Sequence, residues 1–600
     1  MSGDIHCAYA GILIFDFTRK KRPFNIGFDK KQITKNDGVR VKQLSKSDLQ
    51  PEVANTAGHQ RKVIIGATVG TVFEWYDFFL YIAAASTISK NFFSNANPAA
   101  ATIFALLTFA TGYLVRPFGA LFFGRIGDLF GRKHTFLATI LIMGFSTTAI
   151  GLLPTYASAG ILAPSLLIAV RMLQGLALGG EYGGAATYIA EHAPAERRGA
   201  QTSWLQISAT IGFALSVCVV LAIRAGLSVD DYDKWGWRLL FLTSIIPLAI
   251  SIWIRMKLDE SPLFLQMKRE GTLSKSPIKE TLGTWSNLKL VLVAMFAMVV
   301  PQSVLLVGAQ IYTLIFLTGT LQVDPQTANL LLLTGLLIGL PAFVISGTLS
   351  DRFGTKIFIA GACLIGALTY IPLYKALTFY ANPALYVAQK TVPIVVEADP
   401  RECSLQFNPI GTSTFTSGCD TVKSALIHTG APYSNKAGPA GTIATVHIGA
   451  ITIPVATSGN APDSNLFRSH LGQALKDAGY LTLADKKAMN YPMIILILAT
   501  LSTIAGMIFG PLAAAMTSFF PTRIRYTSVS FTYHVGNGLF GGLLPAISLA
   551  IQTGTGDIYG GLWYTVMVAG VAFFLALFLL PSKHSQALTA SPTSSSRANT

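Results

Sequence analysis

The sequence predicts an all-α membrane protein: twelve transmembrane helices as two six-helix bundles, with a separate module inserted between the ninth and tenth. Three observations predict it. Hydrophobic residues make up 51% of the 600 and charged residues only 12%, against about 25% charged in an average soluble chain. The apolar residues fall into runs of about twenty, each able to cross roughly 30 Å of hydrocarbon. And the stretch Gly124-Arg-Ile-Gly-Asp128-Leu-Phe-Gly131-Arg132-Lys133, lodged between two such runs, is echoed by Gly347-Thr-Leu-Ser-Asp351-Arg352-Phe-Gly354-Thr-Lys356.

Residues 1–62 are polar and basic (Arg19, Lys20, Lys21, Arg22) and read as a solvated cytoplasmic tail. The run Ala8–Phe17 is too short to span and carries Asp16, and no stretch has the layout of a cleavable secretory signal. Spans near 63–89, 101–124, 134–153, 164–189, 201–225 and 236–256 make a first bundle, 63–256. A charged cytoplasmic linker, 257–289, with Arg255 at its edge, leads to spans near 290–318, 327–349 and 356–377. The second bundle, 290–379 and 489–580, closes with spans near 491–518, 527–551 and 560–580. A short Ser/Thr-rich cytoplasmic tail, 581–600, carries no apolar heptads.

The net charge of +16 raises nucleic acid as a partner, but the basic residues cluster beside spans, which is an orientation signal. Arg125, Arg132, Lys133, Arg197, Arg198, Arg352, Lys356, Arg523 and Arg525 share one side, whereas the turns near 154–163, 319–326 and 552–558 have no Lys or Arg. That side is expected to be cytoplasmic, with both termini.

Comparing the halves exposes the insertion. Asp128 and Asp351 are 223 apart, but the second matched landmarks, Arg198 and Arg525, are 327 apart. The surplus, 327 − 223 = 104 residues, falls on the outer side at 380–488. This segment mixes Gly, Pro, Ser and Thr with β-like runs such as Thr442–Val455 and a helical pattern near Leu466–Ala478. It holds Cys403 and Cys419, a possible disulfide in an oxidising compartment. It reads equally as a substrate scoop, a partner contact or a tolerated loop insertion. Five cysteines give no metal-ligand spacing, and no Gly-Lys-Ser/Thr phosphate loop or hydrolase motif is present.

Ionisable side chains inside spans are expensive and mark cavities or partners. Glu74 and Asp77 lie three apart on one helix face, roughly 17 and 21 Å into span one. Burial disfavours a charged carboxylate, so such a group can carry a proton; a structural ion pair is the alternative. Arg116, followed by Pro117 and Gly119, suits bidentate capture of a carboxylate or an anchor to Glu181. Arg171 in span four is placed at nearly the depth of Asp77, which suggests an Asp77–Arg171 pair that breaks on protonation. Glu181 stands among four glycines, as a second proton site or a partner of Arg116. Gln302, Gln310 and Tyr312, with Tyr533, His534 and Asn537, are the polar groups of spans seven and eleven; a lone span histidine is usually satisfied by its neighbours.

Both copies of the Gly-Asp-Gly motif resemble the loop 2–3 and loop 8–9 signature of the major facilitator superfamily. Gly70-Thr-Val-Phe-Glu74-Trp-Tyr-Asp77-Phe-Phe-Leu-Tyr81, Arg116-Pro-Phe-Gly119, Gln174-Gly-Leu-Ala-Leu-Gly-Gly-Glu181-Tyr-Gly-Gly184, Trp235-Gly-Trp-Arg238 and Asp259-Glu-Ser-Pro-Leu-Phe264 are similar to its metabolite–proton symporter family. The resemblance covers about 63–380 and 490–580. It implies two six-helix bundles around a central site, opened alternately to each side, and proton-driven uptake of small organic acids or zwitterions. The candidate proton and substrate site is then Glu74, Asp77, Tyr81, Arg116, Arg171, Glu181 and Gln310. The gating residues are Gly124, Asp128, Gly131 and Arg132 with Gly347, Asp351, Arg352 and Gly354. No cofactor is expected beyond the proton gradient. The expected partners are a small metabolite, protons and the bilayer of a bacterial inner membrane, with no nucleic acid. An uncoupled facilitator or exporter on the same fold, or a sensor using the outer module, remain alternatives; an enzyme is not expected.

Overall fold

The computed structural model describes residues 57–93, 98–406, 417–455, 457–458, 461–462, 464–480 and 483–582. The expected tails fall mostly outside these. In the first half the spans are α1 (Ala57–Ala83), α2 (Pro98–Phe130), α3 (Arg132–Leu152), α4 (Leu162–His192), α5 (Ala195–Gly226) and α6 (Tyr232–Met256). In the second they are α7 (Trp285–Thr320), α8 (Pro325–Phe353), α9 (Thr355–Ala381), α10 (Tyr491–Phe519), α11 (Thr522–Thr555) and α12 (Leu562–Leu579). Polar side chains of Ser and Thr within these helices mostly return their hydroxyl to a carbonyl one turn back, as Thr147 does to Met143 O. That leaves few polar atoms facing lipid.

The halves meet where α11 packs on α2 and α4, and where α5 packs on α8 and α10. Within the first half, α2 and α4 cross at backbone contact: a Cβ on Gly119 would lie 2.0 Å from Leu176 O, and one on Gly175 2.1 Å from Gly112 O. Only glycine permits that approach. Helix α7 contains π-helical turns at Met295–Val299, Gly308–Tyr312 and Phe316–Thr320, and α11 has one at Asn537–Gly541. Such turns interrupt the regular ladder and often mark functional stretches.

The inserted segment is folded. A four-stranded sheet runs in the order β2-β1-β3-β4, with β1 Ile394–Ala398, β2 Ser434–Ala437, β3 Thr445–Ile448 and β4 Ile451–Pro454. Strands β1 and β2 are parallel, while β3 pairs antiparallel with both β1 and β4. The expected β-run is therefore a tight hairpin, and the expected helix is Ser464–Asp477. Ile394, Val396 and Ala398 alternate into the module's core. Cys403 and Cys419 are bonded, with Cα atoms 5.2 Å apart.

The module is tied to the second half. Tyr433 N donates to Gly556 O at 3.0 Å, Ala484 N donates to Gln322 O at 2.9 Å, and Lys486 pairs with Asp324 at 3.1 Å. Replacing both cysteines by serine frees a 16-residue separation in the unfolded chain, worth about 3 kcal/mol. Limited proteolysis of the intact protein is expected to show faster cleavage within the module, with the thermal transition of the helices unmoved.

Candidate functional site

We call the end bearing the two Gly-Asp-Gly loops the motif end and the opposite one the module end. At the motif end each motif aspartate caps a helix of the other half. Asp128 accepts from Thr527 N at 2.9 Å, Thr527 Oγ1 at 2.8 Å and Tyr526 N at 3.3 Å, at the start of α11. Asp351 accepts from Gly199 N at 2.7 Å and Ala200 N at 2.8 Å, early in α5. Each carboxylate thus sits on unsatisfied amides at a helix N-terminus. The leading glycines make room: a Cβ on Gly124 would meet Thr527 Cα at 2.7 Å, and one on Gly347 would meet Ser203 Cβ at 2.3 Å. Gly131 (φ 121°) and Gly354 (φ 91°) take the backbone conformation that turns each loop into the next helix.

The two copies differ in what stands behind the aspartate. Buried Arg132 pairs with Asp128 and with Glu191, both at 3.3 Å, and Arg525 meets Glu191 at 3.2 Å. Glu260 accepts from Arg132 N at 2.9 Å, and Ser261 Oγ donates to Glu191 at 2.5 Å. Arg352, by contrast, is exposed and lies over the Phe353 ring. The second copy carries Thr355 at the position matching Arg132. Glu191, Glu260 and Ser261 received no role from sequence reasoning.

Toward the middle, a cavity of about 10 Å³, the size of one water, is lined by Arg116, Arg171, Gln174, Met143, Gly112, Gly175 and Leu178. Arg116 lies 3.8 Å from the Tyr113 ring centroid, and Arg171 lies 4.0 Å from that of Tyr81. These rings hold the guanidinium planes by cation–π contact. Two cations therefore border one small space. Gln310 is half-buried on α7 and lines none of it.

The expected Asp77–Arg171 ion pair does not form among the described residues. Asp77 instead lies against the hydroxyls of Ser244 on α6 and Thr147 on α3. Arg171 Nη1 donates to Gln174 Oε1 at 2.6 Å, and Gln174 Nε2 donates to Thr147 Oγ1 at 2.6 Å. Thr147 and Gln174 thus stand between the two charges. Similar depth along two helices left their separation around the bundle undetermined.

Glu181 is not the partner of Arg116. Arg255 Nη2 lies 2.5 Å from Glu181 Oε1 and 3.1 Å from Glu74 Oε1, and all three residues are buried. The sequence reading put Arg255 at the edge of the linker because it follows the last apolar run. The missed signal was the charge count: Glu74 and Glu181 needed a cation, and Arg255 lies in the last turn of span six.

In the second half Gln302 and His534 are buried, and no side-chain nitrogen or oxygen of either is hydrogen-bonded among the described residues. His534 and Tyr533 of α11 face Arg116. The expectation that the histidine is satisfied by its neighbours fails.

Two helical bundles with a polar centre and a charged lock at one end define a membrane transporter. The family profile described as "Sugar (and other) transporter" matches residues 63–303. The shikimate transporter of Escherichia coli is 35% identical over 53% of this chain and 72% of its own length. The inner membrane metabolite transport protein YhjE of the same species is 28% identical over 88% of this chain and 95% of its own. The proline/betaine transporter of Salmonella typhimurium is 37% identical, and 65% of its length is covered. A double-tryptophan mutant of XylE superposes with a TM-score of 0.55 at 16% identity, over 88% of this chain and 99% of that one. The chain belongs to the major facilitator superfamily, in its metabolite–proton symporter family. It is a multi-pass transporter of small molecules.

Proposed function

We propose that the protein imports a small organic acid or zwitterion together with a proton, by alternating access, across a bacterial cytoplasmic membrane. The observation that carries this is the central cavity bordered by Arg116 and Arg171, with buried Asp77 nearby. Two guanidiniums that line one small space suit bidentate capture of a substrate carboxylate. Asp77, beside hydroxyls rather than a cation, can take up a proton without breaking an ion pair. The Lys and Arg residues of the motif loops put the motif end in the cytoplasm and the module outside. With the motif end capped, the route to the site lies from the module end, and rocking of the bundles exchanges the two openings. The names of the shikimate and proline/betaine relatives fit a carboxylate-bearing substrate.

The test is uptake of a panel of radiolabelled organic acids and betaines into proteoliposomes with an imposed pH gradient. Accumulation above equilibrium that collapses with the gradient is expected for one chemical class; no accumulation of any member overturns the reading. Asp77→Asn is expected to lower gradient-driven accumulation by about tenfold or more while substrate binding survives. Normal accumulation in that variant removes Asp77 from the coupling step.

A further inference from the structure

The cluster of Glu74, Glu181 and Arg255 shares no residue with the central cavity. We propose that Glu74 and Glu181 hold one proton between them on Arg255, and that this cluster is the proton's exit to the cytoplasm, uncovered when α11 moves off α4. The inference rests on the proton-coupled reading and adds to it a second proton site and the gate that controls it.

Geometry sets the charge. Both carboxylates converge on the same guanidinium nitrogen, and they lie within hydrogen-bonding reach of each other. Arg255 Nη1 donates to Phe136 O at 2.9 Å, and the Phe136 ring covers the guanidinium at 3.5 Å. A Cβ on Gly70 would lie 2.3 Å from Arg255 Nη2, so the cation fills a cradle that only glycine leaves open. Thr139 Oγ1 donates to Glu181 Oε2. Two acids and one base leave one uncompensated negative charge, which a buried site does not tolerate. One proton shared by the two carboxyl groups removes it.

The cover is equally specific. Helix α4 presents Gly180, Gly183 and Gly184 beside the cluster. A Cβ on Gly183 would lie 1.9 Å from Ser530 Oγ, and one on Gly184 would lie 2.3 Å from Tyr526 Oη. Tyr526 Oη donates to Gly180 O at 2.8 Å. On this face, side chains of α11 lie flush on a glycine window. Among the described residues, the charged groups that act on the Tyr526 phenol are Glu181 and Arg255 of the cluster and Asp128 and Arg132. Helix α11 is the one that Asp128 caps. When that cap releases, Tyr526 leaves the window and water reaches Glu181. The shared carboxyl proton then passes to water, and the two carboxylates stay hydrated on Arg255 until the next transported proton reprotonates the pair and the window closes. No other reactant is needed.

The experiment compares Glu181→Gln, Glu74→Gln and wild type in proteoliposomes, with infrared difference spectra of the same purified proteins. Each glutamine variant is expected to lose about tenfold or more of gradient-driven accumulation. The protonated-carboxyl band of this cluster is expected in wild type, to vanish in both variants, and to titrate with external pH only when Asp128→Ala frees α11. Unchanged accumulation in both variants, or a wild-type carboxyl band that neither variant removes, overturns the proposal. If no acid is accumulated by wild type, the symport reading falls separately, and the infrared bands still decide whether the proton is shared.

Discussion

Replacing Asp128 by alanine is expected to swing the equilibrium toward a state open at the motif end. The substitution deletes three hydrogen bonds to the start of α11 and leaves Arg132 with one carboxylate fewer. Hydrogen bonds to a charged group contribute about 1.5–3 kcal/mol each. Retaining even one such loss as a net 3 kcal/mol moves a two-state ratio about a hundredfold. Asp351→Ala should do less, because Asp351 accepts from two amides, where Asp128 accepts three hydrogen bonds and also pairs with buried Arg132. The check is the distance between spin labels at Phe130 and Ile357, exposed residues of opposite halves at this end. Broadening toward longer distances in Asp128→Ala, and less in Asp351→Ala, is the expected outcome; identical distributions would remove the lock from the mechanism. Transport should slow in the same order, since a carrier that cannot close one side cannot complete its cycle.

Arg116→Leu is expected to cost about a hundredfold in uptake efficiency for a carboxylate substrate, the loss of about 3 kcal/mol of charge-assisted pairing. Arg116→Lys should recover part of it: the charge returns, but the planar fork and the stacking on Tyr113 do not. The change belongs in KM if the contact is made equally in the bound and moving states, and in the maximal rate if it tightens during occlusion. Uptake by Arg116→Leu at normal KM and rate would show that the substrate carboxylate lies elsewhere. Loss of uptake in Arg116→Leu with unaltered label distances would separate a binding role from a gating one.

Some of this is legible in the sequence alone. Twelve runs of apolar residues become twelve helices because hydrocarbon leaves the backbone no other way to satisfy its own hydrogen bonds within a span. The inserted module declared itself through the mismatch between repeat spacings, since duplicated halves keep their landmarks in step unless chain is added. The Gly-Asp-Gly loops marked a turn at one membrane face.

Partnerships were decided by tertiary structure. Asp128 meets amides 398 and 399 residues away, and no local pattern announces which helix end a carboxylate will cap. The same limit moved Glu181 from Arg116 to Arg255 and placed Thr147 and Gln174 between Asp77 and Arg171. Depth along a helix follows from 1.5 Å per residue, which a chain carries in its own register. The rotation of each helix about its axis, and the neighbour it turns toward, is set by packing, glycine by glycine, between segments that the sequence keeps far apart.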